Sequence, residues 1–382
     1  MGRTLFVVAF VGIVLSFFSF HSRFNQGNII SVSYELPPPP AFTGPLAVND
    51  ALSKAELILE GKVTGPESIH VEGDILYTAT SDGRILKVQG DKIVKEIRLT
   101  KEKNCGAFDR EHLCGRPLGI RRLNKQKLIV IDAYLGLFEV DFDTGSHRLL
   151  MDGHRPIEGI LPRFLNDIDI LSEDEVVMTD SSTINPRRDF MKELLESSPS
   201  GRVLLHRIST GETTVLAKGI AFANGIQVLP DKKSLVVCEM GRARVLRYWL
   251  SGAKKGKLEV FIDNLPGLPD NIRLSTNGTL WVGIGALRRD GVFNPIEYLS
   301  TSPRVRETLI QVLPTFVLRE QFPKLANKHA IIVQIGLDGK IISSLQDEKG
   351  SKVHGVSQVT DTKEYLYMGS FNAPFIARIR KN

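Results

Sequence analysis

Residues 265–283 read LPGLPDNIRLSTNGTLWVG. Two runs rich in apolar and β-branched residues are separated by Asn277-Gly278, the commonest dipeptide of a two-residue hairpin turn. The stretch therefore predicts two antiparallel strands. An acid and an amide, Asp270 and Asn271, stand at the apolar start of the first strand. Asp and Asn after a proline can serve as turn formers through their own side-chain hydrogen bonds, and one such pair says little. Its recurrence says more.

Similar openings occur at GPESIHV (65–71), GRPLGIRRL (115–123), FLNDIDIL (164–171), FANGIQVL (222–229) and HGVSQVT (354–360). Each is followed, after a turn, by a second apolar strand, as in TLWVGIGAL (279–287) and EYLYMGSFN (364–372). Glu67, Leu118, Asn166, Asn224, Asp270 and Ser357 hold the equivalent place, about fifty residues apart except for the last interval, which is the spacing of propeller blades. The long last interval contains RVRETLIQVLPTFVLREQF (304–322), with helical apolar spacing, and RRDFMKELLESS (187–198) forms a smaller insert in the third blade. The prediction is an all-β, six-bladed β-propeller over 51–382 with small helical insertions. Two β-sandwiches would need a linker rich in Pro, Gly or Ser at mid-chain, and none is present.

The innermost strand of every blade runs along a propeller's channel, so equivalent positions at their starts converge on one axis. Here they carry Glu67, Asn166 with Asp167, Asn224, and Asp270 with Asn271. Oxygen-bearing side chains gathered in a buried tunnel are costly without a partner, and a cation is the natural one. Carboxylate and amide oxygens suit a divalent metal, calcium above magnesium or manganese, and the lack of His and Cys argues against zinc. The predicted metal ligands are Glu67, Asn166, Asn224, Asp270 and Asn271. The competing reading makes each a turn or capping residue. An ion there would polarise a carbonyl, which fits hydrolysis of a small-molecule ester or lactone, with Asp270 and Asp167 as candidate catalytic carboxylates. No Gly-x-Ser-x-Gly elbow supports a serine mechanism. His354 is a possible tunnel-lining residue. A propeller that only binds or scaffolds, with a structural ion, is the alternative.

With 382 residues, 42% hydrophobic and 24% charged, the chain has the composition of a globular protein rather than a disordered one. The net charge of +6 is not concentrated in a dense Lys/Arg run, so nucleic acid is not an expected partner. Residues 4–20, TLFVVAFVGIVLSFFSF, carry no charge and follow Arg3. Their length suits a transmembrane signal-anchor helix, 1–23 with its cytoplasmic tip, and the bulky residues that follow do not offer the cleavage site of a removed signal peptide. The Pro-rich stretch ELPPPPAFTGP (35–45) makes 24–50 an extended spacer. Asn277-Gly278-Thr279 is an acceptor for N-glycosylation. Cys105 and Cys114 flank a short polar segment and are expected to form a disulfide, whereas Cys238 lies in an apolar run as a buried thiol. These features place the propeller on the lumenal or extracellular side of a single-pass type II membrane protein.

The stretches CGRPLGIR, NDIDI, NGIQ, LPDNIR and YLYMGSFNAPFIARI together resemble the strictosidine synthase-like propellers, across nearly the whole chain after the spacer. The resemblance implies a six-bladed propeller and, as in the animal members, a weak arylesterase activity. More distantly the chain is similar to paraoxonases and gluconolactonase-type propellers, whose tunnel metal implies the ligand set named above. Two departures stand out. The paraoxonase histidine pair is replaced by Leu118 and Ala133, and the second, structural calcium of those enzymes lacks its acid at Ser68, although Asp167 remains. The glutamate with which strictosidine synthase condenses an amine and an aldehyde is replaced by Ser357, so that activity is not expected.

Overall fold

The computed structural model describes residues 29–381. Twenty-four strands form six four-stranded antiparallel sheets. Five blades are continuous in sequence: β2–β5 (69–98), β6–β9 (117–152), β10–β13 (165–220), β14–β17 (223–262) and β18–β21 (267–347). The sixth is made from both ends of the domain, since β22–β24 (358–380) are completed by β1, Glu56–Ile58, paired antiparallel to β24 with Leu57 opposite Ala377. This closure joins the chain ends and removes the free sheet edge that an open ring would leave.

Each sheet buries its faces against the next. One apolar cluster fills each gap between neighbouring blades: Ile85 and Ile97 meet Ile120 and Val130 between the first and second, and Ile376 meets Leu76 and Leu86 between the sixth and first. The expected six-bladed, all-β architecture is observed.

The innermost strands β2, β6, β10, β14, β18 and β22 begin at one common face. In four of them the pairing to the second strand slips at an equivalent place, between Pro117 and Ile120, Leu165 and Ile168, Ala223 and Ile226, and Pro269 and Ile272. The slipped residues are Leu118-Gly119, Asn166-Asp167, Asn224-Gly225 and Asp270-Asn271. Asp270 and Asn271 therefore lie within β18, Gly267–Leu274, and not ahead of it as the turn signal suggests. A β-bulge kinks its strand and re-aims side chains, and here the same device recurs at the same level of four blades. Gly225 shows why a side chain is excluded beside it: a Cβ there would stand 2.5 Å from Cα of Asn271.

The inserts also follow the sequence expectation, with helices at Phe190–Glu196 and Pro303–Val312. Together they carry a seventh apolar cluster at the face where the innermost strands start, which includes Met191, Leu195, Ile310 and Leu318. Arg306, fully buried, ties the inserts together by donating to the carbonyls of Leu195, Glu196, Ser300 and Val32.

Residues 29–54, most of them within the expected 24–50 spacer, lie docked on the propeller. Val32 N donates to Glu196 O at 3.0 Å, Arg288 donates to Pro37 O at 2.7 Å, Tyr34 lies beneath the Arg242 guanidinium at 4.0 Å, and Leu46 is buried with the fourth and fifth blades. Extended proline-rich backbone leaves its carbonyls unpaired, and buried Arg288 together with Asn264 takes up those of Pro37 and Pro38. The apolar stretch 4–20 lies outside the described residues, and no described helix is long and apolar enough to cross a membrane.

Candidate metal centre on the propeller axis

Glu67 immediately precedes β2, while Asn166, Asn224, Asp270 and Asn271 occupy bulges of β10, β14 and β18. All five are at most 5% exposed. Four oxygens among them, Oδ1 of Asn166, Asn224, Asp270 and Asn271, are buried without a hydrogen-bond partner. Orphaned buried acceptors are rare because each costs about 1–3 kcal/mol, and four on one axis form a pattern. The donor ends of two amides are held elsewhere. Asn166 Nδ2 donates to Ser181 Oγ at 2.9 Å and Asn224 Nδ2 meets Met240 Sδ at 3.3 Å, which fixes their oxygens as the free ends.

The charges tell the same story. Burial pushes the Asp270 carboxyl well above the usual range, and the neighbouring negative charge of Glu67 pushes it further, against hydrogen bonds from Ser357 and Asn224. Glu67 is also raised by burial, opposed by Arg116 and Arg187. Arg116 Nη2 stands 3.4 Å from Glu67 Oε2 and also donates to the carbonyls of Gly65 and Phe371, each at 3.1 Å. Two carboxyls that burial discourages from ionising stand with amide oxygens lacking donors, and this is the donor chemistry that suits a hard cation. Among the described residues no three His, Cys, Asp or Glu side chains gather as metal ligands; this set has two carboxylates and draws its other oxygens from amides.

Asp167 is placed differently. Its carboxylate forms a two-pronged ion pair with Arg273 at 2.7 and 2.8 Å and accepts the Ile226 amide at 2.9 Å. A carboxylate so fully engaged by a guanidinium is a structural anion, and the expectation of a catalytic Asp167 is corrected on that ground. Nor does His354 belong to the ring: it is exposed and packs edgewise on Phe375 at 6.5 Å. Ser357, at the sixth-blade position, accepts Asn271 N through its carbonyl at 2.9 Å and Phe371 N through Oγ at 3.0 Å.

Above the ring the mouth is apolar. Leu118 and Ala133 are buried with Phe164, Phe222, Met240 and Leu268 under the insert helices, so no histidine reaches the axis from there. Cys105 and Cys114 are joined in a disulfide with Cα atoms 5.7 Å apart, and Cys238 is free and buried. Asn277 is exposed in the β18–β19 turn, its Oδ1 accepting from Thr279 Oγ1 at 2.7 Å. Its turn lies at the end of the blade opposite the ring.

Sequence reasoning missed Arg116, Arg273 and Met240. A signal was present for Arg273. Three residues after each ring position the innermost strands carry His70, Arg121, Asp169, Gln227, Arg273 and Thr360, a second polar layer written in the same repeat.

Residues 166–253 match the family described as strictosidine synthase, and 44–88 match its strictosidine synthase-like N-terminal region. Adipocyte plasma membrane-associated protein of Gallus gallus is 39% identical over 345 residues, covering 90% of this chain and 82% of that protein. The chain belongs to the strictosidine synthase-like family. A plant protein of this family, strictosidine synthase-like 3 of Arabidopsis thaliana, is 32% identical over 386 residues, covering 98% of this chain and 97% of its own. Among solved structures, a gluconolactonase from Xanthomonas campestris superposes with a TM-score of 0.54 at 16% identity, over 92% of this chain and 97% of that one. The calcium-binding protein regucalcin from Agrobacterium tumefaciens gives 0.52 at 13% identity, over 85% and 92%. At these identities the two structures show that this strictosidine synthase-like chain shares their fold.

Proposed function

We propose that this propeller holds one divalent cation, calcium by the chemistry of its donors, on its axis and hydrolyses small esters or lactones there. The observation that carries the reading is the set of four orphaned oxygens on Asn166, Asn224, Asp270 and Asn271, with the buried carboxyl of Glu67 beside them. The gluconolactonase and the calcium-binding regucalcin among the structural neighbours lend it support. When bound, the ion polarises the substrate carbonyl and stabilises the oxyanion that forms. Asp270 serves as ligand and proton acceptor: burial and Glu67 favour its protonated form, and positive charge in the ring would favour the ionised one. Arg116 keeps Glu67 oriented, and the amides of Asn166 and Asn224 are held through their donor ends by Ser181 Oγ and Met240 Sδ, so that their oxygens need not reorganise. The apolar mouth excludes bulk water and favours an uncharged, compact substrate.

The buried mouth also favours a second reading, in which the ion is structural and the propeller only binds a partner. A panel of aryl esters and lactones, turned over by the purified chain with and without chelator, separates the two. Turnover that chelation abolishes while the fold persists supports the hydrolase; no turnover by calcium-loaded protein refutes it. Condensation of an amine with an aldehyde is not proposed, because Ser357 supplies no acid at the sixth-blade position. The apolar stretch 4–20, the disulfide and the exposed Asn277 support a membrane-tethered propeller on the lumenal or extracellular side, in keeping with the relatives' name.

A further inference from the structure

One to three residues along the chain from the ring positions lies a second, hydrogen-bonded circuit. Ser68 Oγ accepts Ile120 N at 3.3 Å and donates to Gln358 Oε1 at 2.8 Å. Arg273 Nη2 donates to the same Gln358 oxygen and to Asp167 Oδ1, the latter at 2.8 Å, while its Nη1 donates to Asp167 Oδ2 at 2.7 Å. Asp167 Oδ2 accepts Ile226 N at 2.9 Å. Those residues come from β2 or its approach, β6, β10, β14, β18 and β22, so the innermost strands of all six blades are joined. Ser68, Asp167 and Gln358 are fully buried and Arg273 is 6% exposed. Both Asp167 oxygens and Gln358 Oε1 accept from the one guanidinium.

We infer that Arg273 is a built-in cation: its guanidinium fills a second oxygen-lined seat beneath the ring, limits the axis to one exchangeable metal ion, and positions the ring oxygens. The physical case rests on three facts. The seat presents a carboxylate and an amide oxygen, the latter oriented by the Ser68 hydroxyl, which is cation-binding chemistry. The fork of Arg273 matches the carboxylate in two bonds, as a planar guanidinium does and an ammonium does not. Its anchors are the immediate neighbours of ring members, with Asp167 beside Asn166, Ser68 beside Glu67 and Gln358 beside Ser357, while Ile226 lies two residues from Asn224, so a shift in the seat moves the ring. Arg273 is thus a positioning residue, and its positive charge is felt at Glu67.

The inference rests on the reading of the ring as a cation site, and the test separates the two. Arg273→Met in the full chain removes the charge and keeps much of the bulk. Calcium titration calorimetry on wild type should give one site, and R273M should bind that ion at least tenfold more weakly. In chelator, millimolar guanidinium chloride should raise the melting temperature of R273M but not of wild type, because the free ion re-enters the empty seat; urea at the same concentration should not. Absence of that rise overturns the seat whether or not wild type binds calcium. Calcium affinity equal to wild type in folded R273M overturns the positioning role. Wild type that binds no calcium sinks the metal reading, and the guanidinium arm then still decides the seat. Should R273M fail to fold, Arg273→Lys is the second variant: it keeps the charge and loses the fork, so unchanged calcium affinity and melting temperature there overturn the inference.

Discussion

Asp270→Asn tests the ring most directly, and its two effects are opposite in sign. Burial and the charge of Glu67 raise the Asp270 carboxyl well above its usual range, which favours its uncharged form when no metal is bound. Asparagine has nearly the same shape and is also uncharged. In chelator the variant should therefore match wild type within about 1 kcal/mol, or exceed it, since a buried group prone to ionise has been removed. With calcium the comparison reverses. At a hundredfold excess over Kd a ligand stabilises the folded state by about 2.7 kcal/mol; at ~2 cal/mol/K of unfolding entropy per residue, that is a rise of about 4 °C for a propeller of this size. Losing one of two charges from the ligand set should weaken binding about a hundredfold or more and erase most of that rise. Thermal melts of both proteins with calcium and with chelator give the four values needed. A D270N that keeps the full calcium shift, or loses several kcal/mol in chelator, would refute the reasoning.

Three further outcomes follow from the same geometry. Glu67 and Asp270 both bind protons more tightly in the folded chain than in the unfolded one, so the stability they contribute is fully present below the ordinary carboxylate range and is lost as pH rises through their raised folded values. Metal-free protein should melt at lower temperature as pH rises through that window, and calcium should cancel the decline; calorimetry in buffers of different ionisation enthalpy should show protons released on binding. Arg116→Met removes the nearest positive charge from buried Glu67 and should cost about 3–5 kcal/mol in denaturant melts, with Glu67→Gln added in the same chain recovering part of it. Cys105→Ser opens a bridge between residues nine apart and should cost about 2–3 kcal/mol by loop-closure entropy, equal to the effect of reducing wild type; no change would show the bridge to be dispensable.

What the sequence alone determined was whatever depends on period and on side-chain chemistry. Strand-and-turn runs repeating about every fifty residues admit few architectures besides a propeller, and the oxygen-bearing residues at equivalent places named the ring, because the symmetry of the repeat converts sequence position into position on the axis. The helical inserts and the Cys105–Cys114 bridge were legible for similar reasons, being local patterns. Tertiary structure decided the rest. Asp167 and Asn166 are adjacent and look interchangeable in sequence, yet the bulge of β10 leaves the Asn166 oxygen without a donor and gives the Asp167 carboxylate to Arg273, more than a hundred residues away. His354 looked like a tunnel residue and is exposed, since its side chain precedes the sixth-blade strand rather than lying in it. The Pro-rich stretch reads as a spacer by composition and becomes part of the body, because its carbonyls find Arg288 and Asn264. Charge pairing and hydrogen bonding between blades join residues with no local relation in the chain, so no periodicity records which arginine meets which acid.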